Sequence, residues 1–212
     1  VGSTGSLNFL VNGFSTGIAG GFAVLPAQFF GAKDEKRLKK SVGQAILLCL
    51  FFTVLLTALS VIFTRPVLVL MKTPENIIGM ADVYIKTIFW GICATILYNM
   101  CSCVIRALGD SKTPLYFLIL ASFLNIGLDL LFIIVFKWGV FGAAFATVLS
   151  QGVSGILCVI YALKKYSILH LSKEDFKPDF SMMGKHLAIG LPMAFQFSIT
   201  AIGTIVLQSA LN

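Results

Sequence analysis

The sequence predicts an all-α fold, a polytopic transmembrane helical bundle, and three observations lead to that prediction. Of 212 residues, 58% are hydrophobic and 12% are charged, whereas about 25% are charged in a soluble globular domain. The mean hydropathy is +0.94. The apolar residues form continuous runs, not the alternating pattern of a membrane β-barrel. The net charge of +7 does not indicate nucleic-acid binding, because the Lys and Arg residues cluster between the apolar runs.

Six apolar segments follow one another along the chain, at roughly 1–30, 41–64, 77–105, 115–136, 140–163 and 187–212. Twelve of the sixteen Lys and Arg residues lie in the connectors 31–40, 106–114 and 164–186. Since positively charged loops stay in the cytoplasm, we expect these three connectors to be cytoplasmic. We therefore expect a multi-pass protein of the cell inner (cytoplasmic) membrane. The chain has no initiator Met and ends inside an apolar run, which predicts a fragment of a longer polypeptide.

Small and helix-breaking residues distinguish the first two segments. Gly13, Gly17 and Gly21 are four residues apart on one face, a spacing that predicts close helix packing, with a flexible point as the alternative. Pro26 should kink the end of the first segment. The dipeptide at 65–66, Arg-Pro, should end the second segment.

The third segment begins with Asp82 and Lys86, four residues apart, which predicts an ion pair at the membrane interface. Asn99 lies deeper in the same segment. A buried Asn can join two helices or contact a ligand, and both readings stay open. In the connector that follows, Gly109 and Asp110 predict a bend, with Asp110 either paired with another loop or solvated.

The fourth segment, 115–136, is about 33 Å long as a helix and carries Asn125 and Asp129 on one face. A carboxylate at membrane depth costs about 2.5–3.5 kcal/mol, so it marks a functional site by default. The fifth segment is joined to it by a tight turn. Thr147 therefore lies at the same depth as Asp129, and the two can share a polar pocket with Asn125.

The linker 164–186 mixes charged and apolar residues, as expected for an interfacial helix or a strap along the membrane surface. We expect both histidines of this linker, His170 and His186, to be solvated.

The residue patterns argue against an enzyme. The sequence has no Walker loop, HExxH, GxSxG or intramembrane acid–base pair. The cysteines form no CxxC motif, so we expect reduced thiols, no disulfide framework and no metal site; they are Cys49, Cys93, Cys101, Cys103 and Cys158. We expect no catalytic residue and no cofactor. One acid with amide and hydroxyl neighbours suits a proton or Na⁺ relay.

Five stretches resemble the multidrug and toxic compound extrusion (MATE) family, and the likeness covers essentially the whole chain. They are GFAVLPAQFFGAKD (21–34), RALGDSKTPLYF (106–117), NIGLDLLFI (125–133), GVFGAAFATVLSQ (139–151) and GLPMAFQFSITAIG (190–203). The resemblance implies two six-helix lobes. Residues 1–163 would be helices two to six of the first lobe, 164–186 the cytoplasmic link between lobes, and 187–212 the truncated helix seven.

The resemblance also implies a function and a site. Family members expel organic cations in exchange for H⁺ or Na⁺. In the DinF-like branch, the helix-four Asn matches Asn99, the helix-five pair matches Asn125 and Asp129, and the helix-six Thr matches Thr147. The acid that the NorM-like branch carries on helix seven is absent up to Asn212, which favours the DinF-like branch. The implied partners are small organic cations, the bilayer and the rest of the chain, helix 1 and helices 8–12; we expect a monomer, with H⁺ or Na⁺ at Asp129.

Three rival functions remain open at the sequence level. A flippase of lipid-linked oligosaccharides has the same lobe architecture but needs cationic residues in a central cavity for pyrophosphate. No Lys or Arg lies deep in any segment, which disfavours this alternative. A membrane-embedded enzyme would turn over a lipid substrate without cation-coupled flux. A structural scaffold gives no reason for an acid in the middle of a helix.

Overall fold

Eight α-helices make up the fold, seen in a computed structural model that describes residues 2–70 and 75–211. The helices are α1 (Gly2–Phe22), α2 (Val24–Gly31), α3 (Glu35–Leu70), α4 (Glu75–Trp90), α5 (Ile92–Ala107), α6 (Lys112–Asp129), α7 (Gly139–Lys165) and α8 (Phe180–Leu211). A π-helical segment, Leu130–Val135, extends α6, and a 3₁₀ turn, Ser167–Leu169, follows α7. Val1, residues 71–74 and Asn212 lie outside the described residues; Lys72 and the ends of the first and last predicted segments are among them.

The predicted class of membrane helix bundle is confirmed. Four stretches within the described residues are long and apolar enough to cross a membrane: Asn8–Gly31, Glu35–Pro66, Lys112–Val135 and Gly139–Lys165. A fifth span arises if α4 and α5, bent by 43°, are counted together. These five correspond to the first five predicted segments, and α8 covers the described part of the sixth.

Helix breaks differ from their predicted positions. The first segment breaks at Ala23, between α1 and α2. Pro26 lies in the first turn of α2, where a backbone N–H would have no partner within the helix, so the proline costs no hydrogen bond there. The prediction that Arg65 and Pro66 end the second segment was wrong, because α3 continues through Pro66 to Leu70. Membrane helices accept an internal proline where neighbouring groups take over the freed backbone bond.

Glycines bring α1 into close contact with α8. A Cβ atom placed on Gly17 would lie 2.6 Å from the Cα of Ala194, and one on Gly13 would lie 3.4 Å from the Cβ of Phe197. Gly21 meets the backbone of Gly190 in the same way. The predicted close packing along this glycine face is confirmed.

The connectors 31–40 and 106–114 and the linker lie at one end of the bundle, which we call the basic end. There Gly109 adopts a left-handed φ of +89° and makes the predicted bend. The Asp110 carboxylate accepts hydrogen bonds from Lys165 Nζ at 2.7 Å and Tyr166 Oη at 3.0 Å. Lys165 and Thr113 hold the pKa of Asp110 below its usual value. Asp110 is thus paired with the end of α7 and not merely solvated.

The linker is fastened to the start of α3 by Gln44, which is fully buried. Its Nε2 donates to the carbonyl oxygens of Asp175 and Lys177, both at 2.9 Å, and its Oε1 accepts from the Asp179 N–H at 2.9 Å. Lys40 adds an ion pair with Asp179 at 2.6 Å.

The two histidines differ. His170 is exposed, as expected. The expectation of a solvated His186 was wrong, because this residue is fully buried in α8, 3.1 Å from the Ser41 hydroxyl and against the ring of Phe22. Its burial results from the packing of α8 onto the end of α1 and the start of α3, which no local pattern around residue 186 indicates.

Candidate functional site

Asp129 stands at a change of helix type. It is the last residue of α6, and the π-helical segment Leu130–Val135 begins directly after it. Single π turns inside α-helices occur often at functional sites. The Oδ1 atom of Asp129 is buried and has no hydrogen-bond partner among the described residues. The carboxylate therefore has an acceptor available for a proton or a cation.

Asn125 lies one turn before Asp129 and reaches α7. Its Nδ2 donates to Thr147 Oγ1 at 3.4 Å, and Thr147 Oγ1 donates to the Ala143 carbonyl at 3.0 Å. The antiparallel pairing of the two helices through residues 136–138 sets this contact. The structure thus brings together Asn125 and Thr147, which the sequence analysis placed at neighbouring depths.

Tyr84 of α4 lies near the site, and the sequence analysis did not consider it. It is half-buried, and it lies close enough to Asp129 for their charges to interact. Within the described part of the chain, no Lys or Arg forms an ion pair with Asp129; the nearby acid of α4, Asp82, is the one paired with Lys86, at 2.8 Å as predicted. Among the described residues, Asp129 therefore has no resident cation as an ion-pair partner.

Asn99 does not hydrogen-bond to Asn125 or Thr147. Its Nδ2 donates instead to Thr16 Oγ1 of α1 at 3.3 Å. One turn away on α5, Thr95 Oγ1 donates to Gln151 Oε1 at 2.5 Å. The sequence analysis did not place Thr16, Thr95 or Gln151 in the site.

These residues form a line of polar groups across four helices. It runs from Asp129 and Asn125 on α6 to Thr147 and Gln151 on α7, then to Thr95 and Asn99 on α5 and Thr16 on α1. The spacing of four residues within each pair, 95 with 99 and 147 with 151, was the available sequence signal. Every group in the line except Asp129 is uncharged, so the site can change its charge only at that carboxyl.

The chain is similar to bacterial multidrug proteins. It is 33% identical to the probable multidrug resistance protein YoeA of Bacillus subtilis (strain 168), over 97% of this chain and 46% of YoeA. It is 38% identical to the probable multidrug resistance protein YpnP of the same organism, over 76% of this chain and 37% of YpnP.

A solved structure has the same fold. It is an inward-facing multidrug resistance MATE family transporter of the MOP superfamily, with a TM-score of 0.90 and 23% identity. The match covers 98% of this chain and 48% of that transporter. The chain thus spans about half the length of the relatives it matches.

A match to the MatE family extends over residues 1–131. It covers more than half of the chain, and it includes the two site residues on α6, Asn125 and Asp129. With the helical architecture and the relatives above, it leads to one conclusion: the chain belongs to the MatE family, as the sequence motifs implied.

Proposed function

We propose that the full-length protein is a secondary antiporter that exports organic cations or drugs in exchange for H⁺ or Na⁺. The observation that supports this most directly is the buried, unpartnered Oδ1 of Asp129, held in an otherwise uncharged polar line. A carboxylate is kept at such a place only where it serves an ion or substrate path. The names of the relatives, multidrug resistance and export proteins, support a drug substrate.

In this proposal Asp129 binds the coupling cation. Carboxylate, amide and hydroxyl oxygens are suitable ligands for a hard cation. The Asn125 carbonyl, one turn away on α6, and the hydroxyl of its partner Thr147 on α7 supply such groups. Asn99, deeper in the bundle, lines the substrate side of the same pocket. Protonation or Na⁺ binding removes the negative charge of Asp129, which changes the hydrogen bonds that its neighbours can make.

Coupling then follows from differential affinity. A ligand shifts a conformational equilibrium only by the difference between its affinities for the two states. The coupling cation and an organic cation both require the same negative charge, so the binding of one disfavours the other. The basic end, with its excess of Lys and Arg, faces the cytoplasm of the cell in this arrangement.

The test is efflux of a fluorescent organic cation from proteoliposomes that contain the full-length protein, with a pH gradient and a Na⁺ gradient imposed separately. We expect Asp129→Asn to abolish gradient-driven efflux without lowering expression or unfolding temperature. Ser122→Ala is the matched control, because Ser122 lies on the same helix, is exposed and bonds only to the Leu118 carbonyl. Efflux by Asp129→Asn at the rate of the unmodified protein would rule out this role.

The same assay separates the proposal from its rivals. Purified protein that translocates a lipid-linked pyrophosphate with no response to either gradient would be a flippase. Conversion of a lipid substrate to product without cation flux would indicate an enzyme.

A further inference from the structure

An apolar cavity lies at the basic end, separate from the polar line. Its volume is about 480 Å³, within the range of about 300–1,000 Å³ that is typical of small-molecule sites. Helices α3, α5 and α7 and the linker form its walls, with Ile46, Met100, Val104, Ala162, Leu169 and Phe176 among the lining residues. None of the residues of the polar line contributes to it.

The shape of the cavity is that of a slot running into the bundle. On α5 its lining extends from Leu97 to Val104, eight residues that rise about 10 Å along a helix. Leu169, Leu171 and Phe176 of the linker cover its basic end. The slot therefore begins at the level of the charged connectors and continues into the apolar part of the bundle.

Two lysines and a histidine surround the covered end. His170 lines the cavity itself. Lys39 precedes the lining residue Val42 by three positions and so lies on the same face of α3. Lys173 lies in the linker between the lining residues Leu171 and Phe176.

Lys39 and Lys173 differ from three other lysines at the basic end. Lys40, Lys165 and Lys177 each form an ion pair with an acid. In the part of the chain that the structure describes, neither Lys39 nor Lys173 forms a salt bridge, so both can bind an external anion.

Aromatic residues of the linker indicate contact with a membrane surface. The side chain of Phe180 is 84% exposed and that of Phe176 is 37% exposed. Lys177 directly follows Phe176 and lies three residues before Phe180. Phenylalanine beside lysine is typical of segments that lie in the interface of an anionic bilayer. An apolar slot next to unpaired cations at that level fits a molecule with a hydrocarbon chain and an anionic head.

We propose that this cavity binds one acyl chain of an anionic phospholipid, whose headgroup phosphate is held by Lys39, His170 and Lys173. A wholly apolar ligand would fill the slot but leave the cations unused. A soluble anion would meet the cations but leave the slot empty. The lipid joins the linker to α3, α5 and α7, and it therefore stabilises the basic end of the bundle.

The test uses the full-length protein in detergent, titrated with phosphatidylglycerol or with phosphatidylcholine of the same acyl chains. Native mass spectrometry measures binding, and the unfolding temperature measures stabilisation. Leu163→Trp narrows the slot from its open side; its control is Ile160→Trp, because the two residues are 41% and 44% exposed on the same helix and only Leu163 lines the cavity. Lys39→Glu/Lys173→Glu reverses the headgroup contacts, with Lys112→Glu/Lys185→Glu as the control for net charge.

We expect phosphatidylglycerol to bind saturably and to raise the unfolding temperature more than phosphatidylcholine does. Leu163→Trp and the Lys39/Lys173 variant should each weaken this binding at least about tenfold, and both controls should leave it unchanged.

Three results would overturn the proposal. The first is equal binding of the two lipids. The second is an unchanged phosphatidylglycerol affinity in both Leu163→Trp and the Lys39/Lys173 variant. The third has two parts: in lipid-free detergent, Leu163→Trp unfolds at a lower temperature than Ile160→Trp, and lipid changes the unfolding temperature of no variant. That result would assign the slot to another part of the protein's own chain. None of these results bears on the role of Asp129, so the two proposals fail independently.

Discussion

Some residues of the candidate site could be found from their spacing in the sequence, and others only from their neighbours in the fold. Asp129 and Asn125 share a face of α6 by their spacing alone, so the sequence could predict them as a pair. Tyr84 could not be found in this way, because 45 residues separate it from Asp129 and nothing in the pattern around it differs from an ordinary interfacial tyrosine. The contact between Asn99 and Thr16, across α5 and α1, was likewise beyond any local pattern.

The Tyr84 hydroxyl tests how far the site extends beyond the residues found from sequence. We expect the Tyr84 hydroxyl to make, in the cation-loaded site, one hydrogen bond that the described residues do not show, worth about 0.5–1.5 kcal/mol. Tyr84→Phe should therefore shift the H⁺ or Na⁺ concentration that gives half-maximal efflux by about 2-fold to 10-fold. Maximal efflux and expression should stay near those of the unmodified protein. Tyr116→Phe is the control, because Tyr116 is 66% exposed on the outer face of α6. An identical cation dependence in Tyr84→Phe and Tyr116→Phe would remove Tyr84 from the site.

Asp110 gives a prediction for pH. Its hydrogen bonds with Lys165 and Thr113 lower its pKa from 3.8, so the ionised form stabilises the fold. This stabilisation is complete above the pKa of the unfolded chain and is lost as the pH falls through the lower pKa of the folded state. Asp110→Asn should therefore lower the unfolding temperature at pH 7, and its deficit should shrink as the pH is reduced below about 4.

The pH series also needs a control at an exposed carboxylate, whose ion pair, here with Lys177, contributes little in water. Glu174→Gln removes an acid whose side chain is 77% exposed, and it should change the unfolding temperature little at any pH. A deficit of Asp110→Asn that is the same at pH 7 and at pH 3 would contradict a role for its charge.

At the scale of helices and connectors, Gln44 is the residue that holds the linker. The sequence predicted a strap at 164–186 from its mixed composition, but not what fastens it. Gln44 is one polar residue within an apolar segment, and its three partners are backbone groups 131 to 135 residues away. Backbone partners leave no trace in side-chain patterns, so such an anchor can be found only from the fold.

Gln44→Leu should release the linker. The change leaves an N–H and two carbonyl groups without partners, and each loss costs about 1–3 kcal/mol where the group stays buried. We expect a lower unfolding temperature and faster tryptic cleavage after Lys173 in the full-length protein. Gln28→Leu, an exposed position on α2, should do neither. Unchanged cleavage in Gln44→Leu would show that other contacts hold the linker.

Whether a helix boundary could be predicted from the sequence depends on the kind of interaction that sets it. The turn at Gly109 was predictable because it depends on one residue that tolerates a positive φ. The break at Gly91 and the passage of α3 through Pro66 were not. At Gly91 a Cβ atom would collide with the side chain of Val148 on α7, so the break there is tied to the packing of another helix.

Across the whole molecule, the contact between α1 and α8 joins the two ends of the chain. In the proposed antiporter these helices belong to different lobes, so this contact is part of the surface along which the lobes move. The glycine face of α1 was legible in the sequence from its four-residue spacing. The partner helix was not, because the same spacing is compatible with any neighbour that has small residues.

Gly17→Ala tests whether this close contact is needed. The added Cβ would lie 2.6 Å from the Cα and 2.8 Å from the N of Ala194, so α8 must shift, and overpacking of this kind costs about 1–3 kcal/mol. We expect a lower unfolding temperature and slower efflux in the full-length protein. Gly127→Ala is the matched change, since nothing lies within 4 Å of its Cβ position, and the better helix propensity of Ala contributes up to about 1 kcal/mol. The two variants should therefore change stability in opposite directions; equal unfolding temperatures would mean that α1 and α8 lie farther apart in the full-length protein.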